Sequence, residues 1–150
     1  MELRPATAAD IDTILRHRRQ MFSEMGGDYR RQLDDFEPAS RLYFESALRD
    51  GSYYGVVGEV EGSTVAGGGV VIAAWPGSPL NFDPRRAWIL NVYVEPEHRG
   101  RGYARAVMEA LIDFCLRQGF RSVALHASEE GRTLYEKLGF RQTNEMRLKL

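Results

Sequence analysis

Cysteine is nearly absent from this chain of 150 residues: Cys115 is the only one. That excludes an internal disulfide framework and gives no metal-ligand spacing. A long apolar run is also missing. No stretch approaches the roughly 20 residues of a membrane-spanning helix. The first ten residues, "MELRPATAAD", do not read as a secretory leader, because no apolar segment follows the early charges. An excess of one charge is missing too. The chain has 20 Lys and Arg against 21 Asp and Glu, a net charge of -1. General nucleic-acid binding calls for a basic domain or stripe, so it is not expected. A nucleotide loop of the form G-x-x-x-x-G-K-[ST] is absent. What is present is the composition of an ordinary soluble globular protein, 43% hydrophobic and 27% charged, long enough to bury one sizeable core. The expectation is a cytoplasmic protein with no metal, no membrane and no nucleic-acid partner.

Residues 2–7, "ELRPAT", predict a short first strand. Thr7 then reads as a helix N-cap, with Asp10 placed for a capping box. Ile11, Ile14, Leu15, Phe22 and Met25 follow at helical spacing, which predicts a helix over 8–25 ended by Gly26-Gly27. Residues 26–37 are polar and mixed in charge, a loop or broken helix. Pro38 opens a second helix in its first turn, closed by Gly51. The texture then turns to valine and tyrosine. A hairpin is expected over 53–60 and 64–75, a loop over 76–84, and a long central strand in "RAWILNVYVEP". Ala104, Val107, Met108, Leu111, Ile112 and Cys115 predict a helix over 103–117, ended by Gly119. "RSVALHA" is a short strand, "SEEGRTLYEKLG" a helix capped by Ser128, and "FRQTNEMRLKL" a last strand. The order β-α-α-β-β-β-α-β-α-β gives one α/β domain over 1–150, a partly antiparallel sheet with helices on both faces.

One junction asks for more than a fold. In "VEPEHRGRGYARAVMEALIDF", residues 94–114, an apolar strand stops at Pro96, and Arg99, Gly100, Arg101 and Gly102 lead straight into a helix. A helix start leaves its first N–H groups without intrahelical partners and carries partial positive charge. Glycines let a ligand approach that backbone closely, and the arginines add donors, so the junction suits a phosphate or pyrophosphate. The plainer alternative is a tight turn with solvated arginines. "VAGGGVV", inside a strand run, reads as a bulge or a close backbone contact rather than a phosphate cradle.

The segment "VYVEPEHRGRGYARAVMEAL" resembles the signature of the GNAT superfamily of acetyltransferases, with Arg99, Gly102 and Ala104 at the places of its Arg/Gln-x-x-Gly-x-Gly/Ala pattern. "LYEKLGFRQT", residues 134–143, is similar to that superfamily's second block. The resemblance implies a mixed sheet with a splayed central strand pair that holds acetyl-CoA as co-substrate. The N–H groups of Arg99, Gly100, Arg101, Gly102, Tyr103 and Ala104 would take the pyrophosphate. Backbone near Val92 and Val94 would take the pantetheine arm and face the thioester oxygen. It also implies that Tyr135 reaches the cofactor sulfur as general acid. Ser128 stands where many relatives carry an asparagine that contacts the cofactor. That contact stays open, because Ser128 also serves as an N-cap.

The general base is not fixed by the sequence. Trp88 falls about where some relatives place a strand glutamate, and it cannot accept a proton. Glu95, Glu24, Tyr93 and His126 remain open, directly or through water. His126, alternating with Val123 and Leu125, reads alternatively, and more readily, as a satisfied core histidine. Cys115 lies in an apolar helix stripe and reads as inert. Phe22, Glu24 and Met25, at the end of the first helix, are the candidate acceptor-binding residues, suited to an amine on a partly apolar body. The reading is an N-acetyltransferase that moves acetyl from acetyl-CoA directly to a primary amine, on a small molecule, peptide or protein. A homodimer is compatible with it. Two alternatives stay open: a non-catalytic acyl-CoA-binding regulatory module, and an acyltransferase using a longer acyl donor.

Overall fold

A computed structural model of the chain describes residues 1–26, 29 and 32–148. The chain enters through β1 (Glu2–Pro5), a 3-10 turn (Ala8–Asp10) and α1 (Ile11–Met25). α2 (Leu33–Asp50) follows, then β2 (Tyr53–Val60), β3 (Ser63–Ala74) and β4 (Arg85–Val94). After a 3-10 turn (Pro96–His98) come α3 (Tyr103–Arg117), β5 (Val123–Leu125) and α4 (Glu129–Lys137). The sheet runs β1-β2-β3-β4-β5. Its first three pairings are antiparallel, and β4 with β5 is parallel. This is the mixed α/β architecture expected.

The start of α1 is locked by chemistry legible in the sequence. The Thr7 N–H donates to Asp10 Oδ2 at 2.7 Å, and the Thr7 hydroxyl donates to the same oxygen at 3.0 Å. Arg4, on β1, forks onto both Asp10 oxygens at 2.9 and 2.8 Å and reaches Glu59 of β2 at 2.7 Å. One arginine thus ties β1, β2 and the entry to α1. The β2–β3 hairpin closes through Glu61 (φ +50°) and Gly62 (φ +78°), a two-residue turn whose backbone twist suits the flanking strands.

Each face of the sheet has its own core. On one, α3 buries Val107, Met108, Leu111 and Cys115 against Val56, Val70, Ala87 and Ile89. Each fully buried aliphatic side chain contributes about 1.5–3 kcal/mol. On the other, α1 and α2 pack Ile11, Ile14, Leu15, Phe44 and Ala47 over Tyr53.

The glycine triplet in β3 serves close contacts, as expected. A methyl on Gly68 would lie 2.9 Å from Val107 Cγ1, and one on Gly67 would lie 3.1 Å from the Val56 carbonyl oxygen. Opposite the triplet, β4 carries one extra residue: Gly67 pairs with Tyr93, but Gly69 pairs with Leu90. At this bulge Asn91 adopts φ +60°, a left-handed conformation that asparagine tolerates better than most residues.

Three expectations need correction. The second helix starts at Leu33, so Pro38 lies inside it rather than in its first turn. Residues 33–37, expected as loop, belong to that helix. Asp34 and Asp35 sit in its first turn, where carboxylates favour the helix dipole, and buried Leu33 anchors it. The expected last strand is not formed over residues 141–148; residues 149 and 150 lie outside those described. Phe140, at its start, packs against the α3-side core, but beyond it the apolar positions are open to solvent, with Met146 and Leu148 94% and 80% exposed. Five strands are therefore described rather than six. Of the Gly26-Gly27 stop, Gly26 (φ +69°) caps α1, and Gly27 lies outside the described residues.

Candidate active site

β4 and β5 pair over only three residues each, from Ala87 with Val123 to Ile89 with Leu125. Beyond Leu90, β4 keeps β3 on one side, and among the described residues no strand pairs with it on the other. The bulge at Asn91 lies at this parting. It turns a regular strand into one with free backbone groups, as the splayed pair requires. Val92 is half-buried there. The Val94 carbonyl is already taken, accepting from Arg99 Nε at 2.9 Å.

The arginine-glycine turn stands at the end of β4. Gly100 (φ +72°) and Gly102 (φ +80°) are left-handed, and a methyl on either would meet nothing within 4 Å. Gly102 is the N-cap of α3, and no side chain caps it. The Ala106 N–H reaches the Gly102 carbonyl at 3.1 Å. The N–H groups ahead of it, on Tyr103, Ala104 and Arg105, face outward without intrahelical partners. An open, uncapped helix start beside a glycine turn fits a pyrophosphate. The backbone supplies this more than the arginine side chains do. Arg101 leans onto the Glu97 carbonyl at 3.3 Å. Arg99 grips both Glu24 oxygens at 2.9 and 2.8 Å. Tyr103 is half-buried and stacks near His98, ring centroids 6.4 Å apart.

Glu24 is thus engaged, and the Tyr93 hydroxyl also donates to it, at 2.8 Å. Arg99 lies over the Tyr93 ring. These contacts strap the end of α1 to the end of β4. Burial and then the Glu24 carboxylate push the Tyr93 pKa up, so Tyr93 holds its proton and is a poor base. Glu95 is buried beside Arg16 and His17, with His17 Nε2 3.2 Å from its Oε1. Burial and then Arg16 lower the His17 pKa, which favours the neutral imidazole. His126, read as a core histidine in one alternative, is instead exposed. It pairs with Glu145 at 2.9 Å and lies against Trp88, ring centroids 4.8 Å apart.

Tyr135 is half-buried on α4. It packs against the same core cluster as Val92, Tyr103 and Ala104. Burial raises its pKa, so the hydroxyl is protonated at neutral pH and able to donate. Its ring rests on Gly131, where a methyl would lie 2.7 Å from Cε2. Ser128 caps α4, its Oγ accepting from the Gly131 N–H at 3.2 Å. Cys115 is buried, and burial pushes its thiol pKa up to about 11, which keeps it inert. Among the described residues no group of His, Cys, Asp or Glu could hold a metal ion, and no helix is long and apolar enough to cross a membrane.

Sequence reasoning missed two residues here, His17 and Arg18. Arg18 reaches from α1 to Asn91 Oδ1 at the bulge. Its guanidinium carbon sits 5.1, 4.9 and 5.6 Å from the ring centroids of Phe22, Phe36 and Phe44. The signal was present: residue 18 falls in the stripe of Ile11, Ile14, Leu15 and Phe22, so an arginine occupies an apolar position. Of the expected acceptor residues, Phe22 belongs to this aromatic cluster, Glu24 to the strap, and Met25 is exposed.

Comparison with known proteins agrees with this geometry. The chain is similar over 99% of its length to a GCN5-related N-acetyltransferase from Ralstonia eutropha JMP134, with 36% identity, TM-score 0.93 and 97% of that chain covered. It is similar over 99% of its length to a predicted acetyltransferase of Clostridium acetobutylicum solved with acetyl-CoA, with 26% identity, TM-score 0.88 and 94% of that chain covered. Probable N-acetyltransferase family 8 member 5 of Mus musculus is 31% identical over 84 residues, 52% of this chain and 37% of that protein. The chain therefore spans well under half the length of that curated relative. The family model for the acetyltransferase (GNAT) family matches residues 12–140, and the chain belongs to that family.

Proposed function

We propose that residues 1–150 form one acetyltransferase domain that moves an acetyl group from acetyl-CoA directly to a primary amine, in the cytoplasm. The observation that carries this reading is the end of β4–β5 pairing at Ile89 and Leu125, with free strand backbone on one side and the uncapped turn of Gly100 and Gly102 following the strand. Acetyl-CoA bound there supplies the acetyl group as a thioester activated toward the amine. The α3 start and its turn hold the pyrophosphate through backbone N–H groups. Backbone near Val92 holds the pantetheine arm, and an N–H there faces the carbonyl oxygen as charge builds on it. Tyr135 gives its proton to the departing sulfur. The buried, inert Cys115 favours direct transfer over an acetyl-cysteine.

The amine must lose a proton to attack. Glu24 is occupied by Arg99 and Tyr93, and Tyr93 retains its own proton. Glu95 is likewise held, by Arg16 and His17, which leaves the neutral His17 imidazole beside it as the group suited to receive a proton through water. The test is release of free coenzyme A from acetyl-CoA across a panel of amines. Amine-dependent thiol release supports the enzyme. Tight coenzyme A binding without release from any amine would point to the acyl-CoA-binding module instead.

A further inference from the structure

Among the described residues, Arg18 is a cation with no carboxylate paired to it, and its hydrogen bond runs from Nη1 to Asn91 Oδ1. Its Nε is buried and makes no hydrogen bond, and the Asn91 amide beside it is turned toward the buried Tyr53 hydroxyl. Burial lowers the guanidinium pKa. Buried donors left open are costly, about 1–3 kcal/mol each and more when charged. A structural arginine normally recovers that cost with a carboxylate or with carbonyls. Phe22, Phe36 and Phe44 stabilise the charge through its contacts with their rings, but a ring does not satisfy an N–H directed along the guanidinium edge.

The place matters as much as the deficit. Asn91 is the bulge residue at which β4 parts from β5. It is one residue from Val92, on the face of the sheet that α1 covers. The same strand offers half-buried Trp88 and Leu90 toward that end. Trp88 pairs with Val71, which packs in the α1–α2 core.

We propose that Arg18 and Asn91 form an anchor for a carboxylate on the acceptor, so that the amine acetylated here belongs to a molecule that also carries a carboxylate. This rests on the acetyltransferase reading and narrows its substrate class. The open donor, Arg18 Nε, on a guanidinium whose fork fits a carboxylate, matches a planar anion of single charge. One guanidinium and one neutral amide do not balance a doubly charged phosphate. The apolar flank of Trp88, Leu90 and Phe22 suits the body of such an acceptor.

Matched acceptors test it: lysine against cadaverine, and phenylalanine against phenethylamine, each followed by coenzyme A release. The parent should favour the carboxylated member in kcat/KM by roughly 10- to 100-fold, the worth of one or two charge-assisted hydrogen bonds. Arg18→Met, which keeps bulk among the rings, should bring that ratio toward one while coenzyme A affinity holds. Asn91→Asp places a carboxylate beside Arg18 and tolerates the left-handed backbone. It should raise the thermal midpoint and abolish the preference, which keeps the test readable if Arg18→Met does not fold. A parent that prefers the decarboxylated amines, or variants that lower both members equally, would overturn the anchor and leave the acetyltransferase reading standing. If no amine is acetylated, that reading fails, and binding still decides the anchor. In calorimetry on coenzyme A-saturated protein, N-acetyl-phenylalanine should bind more tightly than its amide to the parent but not to Asn91→Asp. Equal binding, or none, overturns the anchor.

Discussion

The ring of Tyr53 lies against Gly69, so that a methyl on Gly69 would sit 2.6 Å from Tyr53 Cε2. The two residues are on neighbouring strands, β2 and β3, two register positions apart: Gly69 pairs with Gly55 and Tyr53 with Val71. Phe44 of α2 backs the tyrosine edge-on, with centroids 4.9 Å apart. Tyr53 is 3% exposed. The ring therefore cannot swing away, and Gly69→Ala should destabilise the fold by about 2–3 kcal/mol, as overpacking does. Urea denaturation measures it. The double variant with Tyr53→Val should lose much less than the sum of the two single changes, because both act on one contact. A simple sum would mean that the ring is not what excludes the methyl.

Acid should find the Arg4–Asp10 tie. Hydrogen bonds from Arg4 hold the Asp10 carboxyl down from 3.8 to about 2. A group with a depressed folded pKa stabilises the fold above its unfolded pKa and loses that contribution as pH falls through the folded one. The Asp10 contribution should be complete above about pH 4 and lost between about pH 4 and 2. Asp10→Asn should lower stability by about 2 kcal/mol at pH 7. The gap between parent and variant should close toward pH 2, as chemical denaturation at several pH values would show. A gap that stays constant with pH would mean the lost capping geometry, not the charge, carries the effect.

The turn after β4 should bind through its backbone. Gly102→Val puts a branched side chain at φ +80° and into the open space beside the α3 start. It should weaken coenzyme A binding at least tenfold and cost about 1–3 kcal/mol in stability for the strained backbone. Arg99→Ala should weaken binding less, because its guanidinium is committed to Glu24 and the Val94 carbonyl. Calorimetric titration with coenzyme A ranks the two. Unchanged affinity in both would remove the anion-site argument.

Much of this was legible from residue spacing. α3 runs over the residues its apolar stripe marks, and Thr7, Gly51 and Ser128 stand at helix ends as their chemistry predicts. What failed, failed for tertiary reasons. Pro38 reads as a helix start, but the acidic first turn and buried Leu33 begin α2 a turn and a half earlier. Residues 141–148 alternate like a strand, yet their apolar side chains find nothing to cover. Arg18 interrupts the apolar stripe of α1, so apolar spacing alone does not mark it. What shows its importance is the helix packing, which brings it to Phe36 and Phe44 from α2 and to Asn91 from β4. The parting of β4 from β5 carries no local signal either, since a bulge opposite glycines depends on pairing between strands.

The Tyr135 hydroxyl remains the candidate acid, and two variants separate its chemistry from its packing. Tyr135→Phe removes the proton and keeps the ring on Gly131. General acid catalysis is typically worth roughly 10²- to 10⁴-fold, so the loss should fall on kcat, with coenzyme A affinity and thermal midpoint nearly unchanged. Gly131→Ala does the converse. Its methyl would meet Cε2 at 2.7 Å, Cζ at 2.9 Å and the hydroxyl at 3.0 Å, so the half-buried ring must shift while the proton stays. It should lower the rate in part and lower stability somewhat. Slow product release would mask the chemical defect in steady state. Single-turnover acetyl transfer avoids this, because it reports transfer before release. If Tyr135→Phe transfers acetyl to its best amine at the parent rate in one turnover, Tyr135 is not the acid, and the sulfur takes its proton from water or from the amine. If Gly131→Ala alone is slow, the ring positions the cofactor and the hydroxyl is a bystander.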